Sequence, residues 1–78
     1  MMIDVKEAYD IVKKNNPNMK VFICNEGTKY YHFSLVPVEV AGLMVDLVDK
    51  KTGEYLKAHF TVGANDPIIR EIDVSSLE

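Results

Sequence analysis

The chain has 78 residues, 47% apolar and 27% charged, with a net charge of −3. That length fits one small domain, which buries only about 60% of the surface its unfolded chain exposes and leaves little room for a deep catalytic cleft. The acidic balance argues against a general nucleic-acid partner, which needs a basic face, and no apolar run approaches the ~20 residues that span a bilayer.

The first predicted element is a helix over 4–15. Asp4 is an N-cap and Glu7, three residues on, completes a capping box, with Ile3 placed to staple onto Ala8. Val5, Ala8, Tyr9 and Val12 recur at the spacing of one buried stripe, and Lys13 and Lys14 suit the negative end of the helix dipole. Asn15 and Asn16 before Pro17 stop the helix.

Two hairpins are expected next. In the first, a loop of Asn25, Glu26 and Gly27 pairs Cys24 with Thr28, Phe22 with Tyr30 and Lys20 with His32. It sends Val21, Ile23, Tyr31, Phe33 and Leu35 to the core, and Phe22, Cys24, Tyr30, His32 and Ser34 to the other face. Pro37 ends or edges the second strand, and residues 37–42 connect to the second hairpin. There the alternation selects the loop. A four-residue turn of Lys50, Lys51, Thr52 and Gly53 pairs Leu47 with Leu56, Val45 with Ala58 and Leu43 with Phe60, and sets Asp46 opposite Lys57. Gly53 is expected left-handed, with Asp49 accepting backbone bonds of the turn. Leu43, Val45 and Leu47 are assigned to the core, and Met44, Asp46, Val48, Tyr55, Lys57 and His59 to the opposite face.

The tail has two readings. Asp66 before Pro67 resembles a helix start, whereas Ile68, Ile69, Ile72 and Val74 favour an extended segment. The expected fold is α+β: an N-terminal helix packed on one face of a four-stranded, mostly antiparallel sheet, with a short C-terminal strand or helical turn, in a single domain spanning 1–78.

The stretches EAYDIVKKNNPNMKV (7–21), KYYHFSLV (29–36) and VDKKTGEYL (48–56) resemble the PepSY-like family, whose members place a similar helix, an aromatic strand pair and a vDxxTGe hairpin in that order. The match covers roughly two-thirds of the chain; the long VPVEVAG connection and the C-terminal tail depart from the pattern. The resemblance implies a non-enzymatic module that accompanies secreted peptidases as an inhibitory propeptide part or serves interaction in the cell envelope. It carries no catalytic residue, because its motif here is a turn.

Three groupings of residues bear on chemistry. Cys24 and His32 share a predicted face but stand too far apart along the strands for a nucleophile–base pair. His32, His59 and Asp46 share a side without metal-type spacing, and the glycines form no phosphate loop. No catalytic, cofactor-binding or metal residue is assigned, and no cofactor is expected. The feature that stands out is the expected open sheet face, with Tyr30, His32, Met44, Val48, Tyr55 and His59 beside Phe22. Either the tail folds back over it or a partner covers it.

The expected function is a non-enzymatic protein- or peptide-binding module, monomeric or weakly dimeric alone, with no membrane insertion. The alternatives are a small cytoplasmic self-associating or partner-binding protein, and a fragment of an enzyme that needs another chain. The lone Cys24 and the absence of a basic-then-apolar start fit a cytoplasmic protein. If Leu77 and Glu78 are a cloning remnant, the chain is a domain of a longer envelope or extracellular protein.

Overall fold

The computed structural model describes residues 2–36 and 44–78. In chain order these form helix α1 (Val5–Asn15), strands β1 (Lys20–Gly27), β2 (Tyr30–Val36), β3 (Met44–Asp49) and β4 (Tyr55–His59), a short helix α2 (Phe60–Ala64), strand β5 (Ile68–Ile72) and a 3-10 turn (Val74–Ser76).

Helix α1 begins as its sequence dictates. Asp4 Oδ1 accepts the Glu7 amide at 2.8 Å, and Glu7 Oε1 accepts the Asp4 amide at 3.4 Å. Ala8 and Val12 are fully buried against the sheet. The Asp49–Gly53 turn also follows its local code. Leu47 pairs with Leu56, Asp46 with Lys57 and Val45 with Ala58, and Gly53 sits at φ 76°. Asp49 Oδ1 accepts the amides of Lys51 at 2.8 Å and Thr52 at 3.0 Å. Pro37, Gly42, the connection over 37–42 and the Leu43–Phe60 pair lie outside the described residues.

The sheet has five strands rather than four, in the order β4-β3-β2-β1-β5, and every neighbouring pair is antiparallel. The added strand is the tail: of its two readings, the extended one holds over Ile68–Ile72, followed by the 3-10 turn. β4 stops at His59, short of Phe60, which the expected pairing with Leu43 placed in the strand, and α2 carries the chain from one edge of the sheet toward the other.

Two face assignments are corrected. The first hairpin turns at Thr28 and Lys29 rather than at 25–27, so that Cys24 faces Phe33 and Asn25 faces His32. A bulge between Val21 and Ile23 then lets Val21 and Cys24 both enter the core, while Ile23 is exposed. The second hairpin keeps its expected register but presents its opposite face to α1. Val48 joins Ala8, Val12, Tyr31, Phe33 and Cys24 in the helix-side core, with Tyr55 packed against it. Leu47, also fully buried, pairs with His32 on the second face, where Gly63 of α2 abuts His32 and Val45. Both faces of β3 are therefore covered, one by α1 and one by the α2 crossover. Apolar residues on both faces give the strand pattern no way to say which one α1 covers.

Candidate functional site

The six residues expected on one open face are divided between two. Tyr30 and His32 lie on the second face. Met44, Val48, Tyr55 and His59 fall in phase with the helix-side set, and Val48 is fully buried. His59 caps α2, its Nδ1 accepting the Thr61 amide at 3.4 Å, and its ring lies 4.7 Å from that of Phe60. Cys24 and His32 lie on opposite faces of the sheet, which removes any pairing of thiol and imidazole.

Three polar clusters are built into the fold, and each ties elements together. On the second face, Asp66 Oδ2 accepts the Tyr30 amide at 3.0 Å and lies 2.8 Å from His32 Nε2, while its Oδ1 accepts the Lys29 amide at 2.9 Å. Asp66, which resembled a helix start in sequence, is thus the anchor of the crossover. Burial raises its pKa, but the His32 bond and the two amides outweigh this and hold the carboxyl below its usual range. Gly27 is required beneath the pair, because a Cβ there would fall 2.5 Å from His32 Nε2.

On the helix side, Asn16 at the end of α1 donates to Asp46 Oδ2 at 3.2 Å and to the Tyr55 hydroxyl at 3.1 Å, and Tyr55 itself donates to Asp46 at 2.5 Å. Lys57 Nζ donates to Asn16 Oδ1 at 3.4 Å. This network fastens the helix to the second hairpin. At the other end of the sheet, Lys50 Nζ donates to Glu26 Oε2 at 2.6 Å and to the Gly27 carbonyl at 3.0 Å, and Arg70 Nε donates to Glu26 Oε1 at 2.6 Å. These bonds from Lys50 and Arg70 hold the Glu26 carboxyl below its ordinary value. The buried Lys50 ammonium also lies 5.5 Å from the Tyr31 ring centroid.

None of these clusters presents an activated nucleophile. Among the described residues no hydroxyl or thiol bonds to His32, and burial pushes the Cys24 thiol up to about 12, with Arg70 opposing and Glu26 reinforcing the shift.

The open feature lies elsewhere, where β1 and β5 part. β5 pairs with β1 only from Cys24 to Gly27. Upstream, residues 20, 21 and 23 pair with β2 on one side, and no backbone bond among the described residues joins residues 20–23 to residues 73–78. A groove of about 410 Å³ opens there between residues 22–24 and 71–74, within the range of about 300–1,000 Å³ typical of binding sites. The bulge turns Phe22 and Ile23 outward, 65% and 39% exposed. Glu71 and Asp73 border them. Sequence reasoning missed Ile23, Glu71 and Asp73, because neither the bulge nor the position of β5 has a local signature.

Comparison with protein-family models, curated proteins and solved structures finds no match to this chain.

Proposed function

We propose that the chain is a non-enzymatic protein- or peptide-binding module that engages its partner at the open edge of its sheet rather than across a sheet face. The observation that carries this reading is the stretch of β1 at residues 20–23 that pairs with β2 on one side and with no strand on the other, and that carries the outward-turned Phe22 and Ile23. An exposed strand edge offers a row of backbone donors and acceptors, and extended segments add to such edges as an extra strand. The buried polar clusters support binding over catalysis, since each is engaged in holding α1, the crossover or β5 in place. The resemblance to PepSY-like modules suggests a peptidase or another envelope protein as the partner.

A second reading, weak self-association, draws on the outer edge of β5, where Ile68 and Ile69 are 50% and 60% exposed. Peptide-library selection on the immobilised protein tests both, with bound peptides mapped by backbone-amide NMR and self-association followed by sedimentation equilibrium. Selected peptides that shift edge-strand amides support the module. A library that returns no specific binder overturns it, and a concentration-dependent dimer that Ile69→Lys abolishes would then leave self-association as the function.

A further inference from the structure

We infer that the groove between β1 and β5 receives an extended segment of a partner protein that pairs with residues 20–23 of β1 and carries a basic residue among apolar ones. The inference rests on the binding-module reading and names the chemistry of the partner.

The backbone sets the mode. β5 occupies the edge of β1 as far as Cys24; beyond Ile72 the chain turns aside into the 3-10 turn, whose Val74 packs on the helix-side core, and a segment laid along residues 20–23 would follow β5 in line. Side chains of an added strand alternate between the two faces, so every second one would meet the outward Phe22 and Ile23. Phe22, more than half exposed at a bulge, is an apolar anchor that the fold itself does not use.

The charge sets the partner. Glu71 and Asp73 stand at the groove, and among the described residues neither is in an ion pair. Asp73 Oδ1 accepts the Ser75 amide at 3.0 Å and the Ser75 hydroxyl at 2.8 Å, which orients the carboxylate without neutralising it. The nearby cation of β5, Arg70, is committed to Glu26. Lys20 is exposed at the far end of the stretch, so the two uncompensated carboxylates act on the end of the segment nearest β5, where they select a cationic side chain and disfavour an acidic one. They also disfavour a second copy of this chain docked symmetrically, which would bring Glu71 and Asp73 toward their own counterparts.

The test is an NMR titration of the ¹⁵N-labelled chain with two capped seven-residue peptides, one alternating valine with lysine and one alternating valine with glutamate. The lysine peptide is expected to shift the amides of residues 20–24 and 71–74, and to bind more weakly as salt is raised. Glu71→Lys is expected to weaken the lysine peptide by about fivefold, the upper end for one exposed charge pair, and to tighten the glutamate peptide. Phe22→Ser is expected to weaken both by about tenfold while leaving the dispersed spectrum of a folded domain, since its ring is largely exposed. Equal binding of the two peptides, indifference to Glu71→Lys, or shifts confined to other surfaces overturns the inference. If library-selected peptides then map to the outer edge of β5 or to β4, the module reading stands without it; if no peptide of any kind binds, both fall.

Discussion

Replacing Asp66 by alanine removes the anchor that holds the α2 crossover on the second face. The carboxylate accepts from Lys29 N at 2.9 Å, Tyr30 N at 3.0 Å and His32 Nε2 at 2.8 Å, and its side chain is 8% exposed. Hydrogen bonds to a charged acceptor contribute about 1.5–3 kcal/mol each, but the three share one group and water can reach the freed amides, so their losses do not add fully. We expect a cost of about 3 kcal/mol, a large part of the total stability of a domain this small. The loss also has a pH signature. Because the folded-state pKa of Asp66 lies below the unfolded value of about 3.9, its stabilisation is fully present above that value and is lost as pH falls through the folded pKa. The part of the gap between the native chain and Asp66→Ala that comes from the carboxylate's own ionisation therefore narrows below about pH 4. Urea unfolding, followed by tyrosine fluorescence at pH 5 and pH 3, measures it. Gly27→Ala supplies an independent arm, since its methyl would overlap Asp66 Oδ2 and fall 2.5 Å from His32 Nε2. If both variants act through the same pair, the double variant costs less than the sum of the singles. A cost below about 1 kcal/mol for Asp66→Ala, or a gap that does not change between pH 5 and pH 3, would refute the assignment of Asp66 as an anchor.

Three further outcomes are expected. Gly53→Val destabilises by at least ~1 kcal/mol in the same unfolding assay, because a β-branched residue resists φ 76°, whereas Gly53→Asn is nearly tolerated. Tyr55→Phe costs about 1–2 kcal/mol through loss of the hydroxyl's bonds to Asp46 and Asn16, and Tyr55→Lys costs more, because that side chain packs on the helix-side core. Cys24, fully buried and with its thiol pushed up to about 12, reacts with a thiol reagent only at the rate of unfolding at pH 8, and a fast native-state reaction would place it outside the core.

What could be read from the sequence was decided within a few residues along the chain. The capping box of Asp4 and Glu7 and the Asp49–Gly53 turn draw on contacts spanning three to four positions, so the order of residues specifies them directly. The alternation of the second hairpin likewise selected the register that pairs Leu47 with Leu56. The same alternation could not say which face meets α1, because Leu47 and Val48 are both fully buried, on opposite sides of the sheet. That choice depends on how β3 is set beside β2 and on which residues α1 and α2 offer each face. Tertiary structure also placed the bulge at Phe22 and put β5 at the far edge of β1, where Ile72 completes the core over Cys24. The His32–Asp66 pair joins residues 34 positions apart, and the groove forms where two strands distant in sequence diverge. Long-range pairings of this kind cost loop-closure entropy and repay it only when the whole sheet assembles, so no local stretch of the chain carries their signal.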